Sequence, residues 1–193
     1  MTDAELRAAL EAHHSESYGW ALSCCVRTPV DAEGVLQTVY LKVMMGKARY
    51  DGKASFKTWL FAVIRRTAAD ERRRQILRRL LLDLHRASPS PAAVERPDEV
   101  THRAEVQRLV RKVLTQLPRR QREVLQLVFY HELSLAEAAQ VMGISLGTAR
   151  THYERGKKQL RELMERMEGW KIHNEERTER DDDQRIVSAT EAG

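Results

Sequence analysis

Residues 139–161 read AQVMGISLGTARTHYERGKKQLR, and the pause at Gly143-Ile144-Ser145 decides the fold. Before the pause Ala138, Ala139 and Met142, and after it Ala149, Tyr153, Gly156 and Leu160, keep an apolar stripe at three- and four-residue spacing. Two short helices therefore meet at a tight turn. A helix-turn-helix needs a small residue where its helices touch, a residue that bends the backbone sharply, and an apolar anchor in the second helix. Ala139, Gly143 and Ala149 stand in those three places, with Ile144 available to plug the junction. An ordinary helical hairpin would share part of this pattern, but not all three positions together with an N-cap on each helix. Ser134-Leu-Ala-Glu137 fits a capping box for the first helix, and Ser145 can cap the second.

With the stripe turned inward, Thr148, Arg150, Thr151, Glu154, Arg155, Lys157 and Lys158 lie on or beside the outer face. That face suits a major groove. Arg150 and Arg155 can chelate the acceptor edge of guanine or clamp phosphates, Glu154 can accept from cytosine N4, and the lysines suit phosphates. Upstream, apolar spacing from about Ala104 through Leu114 predicts one helix ending before Leu117-Pro118, and Val124, Leu125, Leu127 and Val128 predict the next, with Pro118 in its first turn. Arg119, Arg120 and Arg122 open that helix and can add contacts to the DNA backbone.

Residues 83–99, DLHRASPSPAAVERPDE, hold three of the five prolines and almost no apolar periodicity, so a flexible linker is expected there. On its N-terminal side the patterning is again helical. Leu6, Leu10, Ala21, Leu22 and Cys25 suit one or two helices stopping before Thr28-Pro29. Asp31 can cap a helix carrying Val35, Leu36, Val39 and Val43, with Tyr40, Leu41 and Met44 adding apolar surface beyond that stripe. The basic stretch GKARYDGKAS, 46–55, contains the turn signal Asp51-Gly52. A long helix then starts near Phe56. It carries Phe56, Trp59, Leu60, Val63 and Ile64, then seven arginines between Arg65 and Arg79 against two acids. Cations beside exposed rings suit single-stranded nucleic acid. The same rings at helical spacing also suit a core.

Strand-like alternation is absent, so the chain is expected to be all-α: two small helical domains, 1–82 and 104–168, joined by a linker over 83–103, with a charged tail over 169–193. The 193 residues carry a net charge of +5, unevenly spread. The tail holds seven acids and four bases, which leaves +8 on residues 1–168 and points that body toward polyanions. No apolar run approaches the roughly 18 residues of a membrane span, and the acidic, amphipathic start MTDAELRAAL is unlike a secretory signal, so a cytoplasmic protein is expected. Cys24 and Cys25 are adjacent in a helix and diverge, which suits small buried residues better than a disulfide or a metal site. No P-loop, dinucleotide-binding glycine pattern, metal-ligand spacing or nucleophile motif occurs. An enzyme is not expected, nor a cofactor.

Taken together, the two halves resemble the extracytoplasmic-function (ECF) group of sigma factors in the sigma-70 family, over roughly residues 5–166. DAEGVLQTVYLKV resembles the family's segment for core RNA polymerase, SFKTWLFAVIRRTAADERRR its segment for melting and reading the minus-10 element, and LPRRQREVLQLVFYHELSLAEAAQVMGISLGTARTHYERGKKQLREL its minus-35 domain. The domains would then be sigma region 2 and sigma region 4. The resemblance implies that Glu33, Leu36, Gln37, Val39 and Leu41 face core polymerase. It implies that Tyr50, Gly52 and Lys53 hold a flipped base, with Trp59, Arg65 and Arg66 near the melted junction. Arg119, Arg122, Thr148, Arg150, Thr151, Glu154, Arg155 and Lys158 would serve the minus-35 element. Gly34 and Thr38 stand where the family usually has acids, Arg66 where Asn is commoner, and Glu154 where His or an aromatic is commoner. The first pair bears on the polymerase contact and the second on promoter sequence.

A promoter-specificity subunit without catalysis of its own is therefore expected, its partners being core RNA polymerase, promoter DNA and an anti-sigma factor, with no insertion in a membrane. A stand-alone regulator using the same helix-turn-helix is the alternative. The acidic tail is either regulatory or a spacer. Seventeen linker residues reach at most about 56 Å at roughly 3.3 Å each, enough with two domain radii of about 12 Å for DNA sites two turns, roughly 70 Å, apart.

Overall fold

In a computed structural model that describes residues 2–25, 28–83 and 113–166, every regular element is a helix. Helix α1 (Asp3–Ala12) opens with a capping box in which the Thr2 hydroxyl accepts from the Glu5 amide and Glu5 reaches back to the Thr2 amide, at 3.3 and 2.7 Å. Helix α2 (His14–Cys24) follows almost without a break. Helix α3 (Pro29–Met44) begins three residues earlier than an Asp31 cap would allow: Thr28 is the capping residue, and Pro29, having no N–H to leave unpaired, takes the first turn. Asp31 instead accepts from the Gln75 side chain at 3.1 Å, tying α3 to α4.

Helix α4 (Phe56–Asp83) starts where the sequence places it, its first turn held by the Ser55 hydroxyl accepting from the Thr58 amide at 3.2 Å. Apart from Asp83, the expected linker lies outside the described residues, as do the tail and the helical pattern at 104–112. The helix α5 is described over 113–116. Pro118 sits just outside α6 (Arg119–Phe129), one position before the expected one.

Helix α7 (Leu135–Met142) carries the expected capping box, the Ser134 hydroxyl accepting from the Glu137 amide at 3.2 Å. It ends in a Schellman motif: Gly143 adopts φ +64°, its amide donates to Gln140 C=O, and the Ile144 amide donates to Ala139 C=O. Ser145 then accepts from the Thr148 amide at 3.1 Å and starts α8, residues 146–166. Ala139 and Ala149 are both buried, as a close helix-turn-helix junction requires.

Helices α2, α3 and α4 form a bundle around Trp20, Ala21, Val35, Leu36, Val39, Leu60, Phe61 and Ile64. The Trp20 indole N–H donates to Phe61 C=O at 3.0 Å. The second domain does not keep a wholly separate core. Val124, Leu127, Leu133, Ala138, Val141 and Met142 join the same buried cluster, because α7 lies against α4, while Val113, Leu117, Leu125 and Leu163 form a smaller one. Cys24 is buried, Cys25 half-buried, and both thiols are free. No helix among the described residues is long and apolar enough to cross a membrane, and no cluster of metal-ligating side chains occurs among them.

Candidate nucleic-acid interface

The exposed face of α8 is set by what its opposite face buries. Ala149 is fully buried, Gly156 and Leu163 are buried, and Tyr153 and Leu160 are partly so. At Gly156 an added Cβ would stand 3.1 Å from Leu125 Cδ1 and 3.2 Å from Gln121 Cβ, so the glycine lets α8 lie directly on α6. This packing leaves Thr148, Arg150, Thr151, Glu154, Arg155 and Lys158 exposed together. Lys157 is half-buried, 3.1 Å from Glu154 and over the Tyr153 ring at 4.6 Å. The Thr151 hydroxyl is held by Gly147 C=O at 3.0 Å. Arg150, Arg155 and Lys158 thus stand on one solvent-facing side of a helix of groove-entering dimensions.

A second group lies where the 46–55 loop meets α4. Tyr50, Phe56 and Trp59 form an aromatic triangle with centroids 5.3 to 5.5 Å apart, all three rings half-buried. Gly52 turns the loop at φ +73°, the Asp51 carboxylate accepts from the Lys53 amide at 3.2 Å, and the Tyr50 hydroxyl donates to Ala54 C=O at 2.6 Å. Two backbone amides and the Lys53 side chain hold the Asp51 carboxyl below its usual range. Phe61, by contrast, is entirely core. Arg66 is exposed, but Arg65 is not free: it donates through Nε and Nη2 to the buried Glu123 carboxylate of α6 at 3.2 and 3.1 Å. Arg119 also binds Glu123, at 2.7 Å, and Arg122 reaches toward the carbonyls of Leu114 and Thr115.

The residues expected to face a protein partner divide. Glu33, Gln37 and Leu41 are exposed, Leu41 to 57%. Leu36 and Val39 are buried against α2 and α4, so they hold α3 in the bundle and offer no side chain to a partner. Their apolar stripe serves the core. Met44 and Met45, exposed beside Leu41, extend the apolar surface at the end of α3. Thr38 donates its hydroxyl to Gly34 C=O at 2.8 Å, and the space beside Gly34 is open. Sequence reading passed over Glu123, Trp20 and His131. An acid on the buried stripe of α6, preceded by Arg119 and Arg120, was the available signal for the first.

These features define a two-domain helical protein that presents a cationic helix-turn-helix in one half and an aromatic and basic loop-helix edge in the other. Residues 9–78 match the family described as Sigma-70 region 2, and residues 107–160 match Sigma-70, region 4. The ECF RNA polymerase sigma factor SigX of Bacillus subtilis is 30% identical over 183 residues, covering 93% of this chain and 94% of that protein. SigF of Caulobacter vibrioides, also an ECF sigma factor, is 35% identical over 147 residues, covering 73% and 75%. The chain belongs to the sigma-70 family, in its ECF group. Among solved structures, RpoE in complex with the anti-sigma factor NepR, from Bartonella quintana, shares the fold with a TM-score of 0.62 at 23% identity over 84% of this chain and 95% of that one. CnrH in complex with the cytosolic domain of CnrY gives 0.60 at 20% identity over 85% and 90%.

Proposed function

We propose that this protein binds core RNA polymerase in the cytoplasm and directs it to promoters, reading a minus-35 element as duplex through α8 and a minus-10 element as separated strands through the 46–55 loop and the start of α4. It supplies no catalysis; the polymerase carries the metal and nucleotide chemistry. The observation that carries this reading is the α8 face, where three cations, Thr148, Thr151 and Glu154 are exposed together above a buried Ala149–Gly156–Leu163 stripe. Arg150, Arg155 and Glu154 are assigned to base edges, and Lys158, Arg119 and Arg122 to phosphates. Tyr50, Gly52, Lys53, Trp59 and Arg66 hold the melted strand, joined by Arg65 once it leaves Glu123. Polymerase meets α3 at Glu33, Gln37 and Leu41, together with Met44 and Met45. An anti-sigma factor is the expected inhibitory partner, as in the RpoE complex.

The test is transcription and strand opening with sigma-free bacterial core polymerase on a genomic promoter library, beside a DNA-binding assay without polymerase. Start sites that require both protein and core are expected, with one shared promoter sequence. Specific duplex binding without core, and no start sites with it, would overturn the reading in favour of a stand-alone regulator.

A further inference from the structure

The second half of α4 carries a face that the loop-helix edge does not use. Ile76, Leu77 and Leu80 are 52, 58 and 57% exposed, and three- and four-residue spacing from Leu80 puts all three on one stripe of the helix. Arginines border the stripe on both sides. At 100° per residue Arg72 and Arg79 flank one edge, Arg74 and Arg78 the other, and Arg73 lies one turn before Leu77. Arg72 turns inward and donates to Cys24 C=O, whereas Arg73, Arg74, Arg78 and Arg79 are exposed. Asp70 and Glu71 approach Arg73, Arg74 and Arg78 at 3.7, 3.6 and 3.9 Å, in surface pairs that water and salt screen. The face stays strongly cationic.

A phosphate backbone would pair with these arginines and leave the aliphatic stripe in water. The partner that fits brings acids and apolar side chains together, and this chain holds such a segment. Arg72-Arg73-Arg74-Gln75-Ile76-Leu77 of α4 has a counterpart of opposite charge in Asp181-Asp182-Asp183-Gln184-Arg185-Ile186-Val187 of the C-terminal tail. Each runs three like charges, a short polar spacer, then two aliphatic residues. The tail also starts near enough. Leu163 of α8 packs with Leu117, and Arg119, two residues after Leu117, lines one small cleft with Arg72, a single turn before Ile76. From Arg166 to Asp181 the chain extends up to about 50 Å at roughly 3.3 Å per residue, more than the roughly 36 Å width of a compact body of this size. We propose that the second half of α4 is the docking surface for the acidic tail, with Asp181, Asp182 and Asp183 against its arginines and Ile186 and Val187 against Ile76, Leu77 and Leu80. The docked tail shields these arginines from nucleic acid, and the docking stands whether or not the promoter-directing function does.

The test uses the full chain with Leu80→p-benzoylphenylalanine, which keeps this exposed position apolar, irradiated at low salt and mapped by mass spectrometry. Links within one molecule to residues 169–193 are expected. They should fall at least fivefold when Asp181, Asp182 and Asp183 are all changed to Asn, and likewise at roughly 0.5 M salt, where such pairs are screened. Leu41→p-benzoylphenylalanine, at a position equally exposed on a helix with no arginine, should link to the tail at least fivefold less. Ile186→Ser with Val187→Ser leaves the net charge unaltered; it should lower the Leu80-position linking at least threefold and raise affinity for a duplex without promoter sequence at least twofold. No links to the tail, links chiefly to a second copy or to residues 104–112, or linking indifferent to the three aspartates would each overturn the docking. Reduced linking in the serine variant with unchanged duplex affinity would overturn the shielding.

Discussion

Arg150 stands exposed on the first turns of α8, one residue after the buried Ala149 that anchors the helix-turn-helix. If it chelates a guanine, Arg150→Ala costs about 1 to 3 kcal/mol of binding and relaxes preference at one base position; the check is transcription from a promoter library substituted at each position. A uniform loss on every promoter would make Arg150 a phosphate contact. Gly34 offers a different test. It lies inside α3, its carbonyl accepts from the Thr38 hydroxyl, and nothing lies within 4 Å of where a Cβ would sit. Gly34→Ala is therefore expected to stabilise the protein by about 0.8 to 1 kcal/mol, read from urea unfolding. Both residues were legible in the sequence, because an outward position on a patterned helix depends on neighbours three and four residues away. Glu123 was not legible in the same way, since its partner Arg65 is 58 residues distant.

Among the elements, the turn from α7 to α8 obeys local rules throughout. Ser134, Glu137, Gly143 and Ser145 do what their side chains, or the lack of one, allow at helix ends. Gly156 then fixes how closely α8 approaches α6. Gly156→Leu must push Leu125 and Gln121 aside, and a loss of about 1 to 3 kcal/mol is expected, visible as a lower unfolding midpoint and weaker minus-35 binding. An unchanged midpoint would mean that α6 and α8 are less tightly packed than the 3.1 Å approach to Leu125 requires. Helix α3 shows where packing departs from the resemblance. The resemblance assigned Leu36 and Val39 to polymerase, but a helix packed on α2 and α4 needs those positions for itself, and only Glu33, Gln37 and Leu41 remain outside. The capping box at Thr2-x-x-Glu5 was readable and was passed over.

For the whole molecule, the shared core makes stability depend on pH through His131. Burial, with Lys57 nearby and Glu16 opposing it, pushes the imidazole from its ordinary 6.5 down to about 4. The unfolded chain then binds a proton that the folded form refuses, so stability is full above about pH 6.5 and falls as the pH drops toward 4. Glu16, held below its usual range by Lys57, and Glu137, held so by Ser134, add losses at lower pH, as they protonate. His131→Phe is expected to remove the dependence between 6.5 and 4 while keeping that below it; unfolding midpoints across this range check it. A slope that survives the substitution would place the titrating group elsewhere.

The sequence by itself determined the helices, the caps of α7 and α8, the Gly143 turn, the cationic face of α8 and the family, because each rests on residues close together in the chain or on matched order along it. Tertiary structure alone decided that α7 packs on α4 and that Arg65 meets Glu123. Those contacts join residues far apart in the chain, and a buried carboxylate ringed by arginines gives no periodic sign of its partner. Apolar stripes state that a face will be covered; only packing states by what.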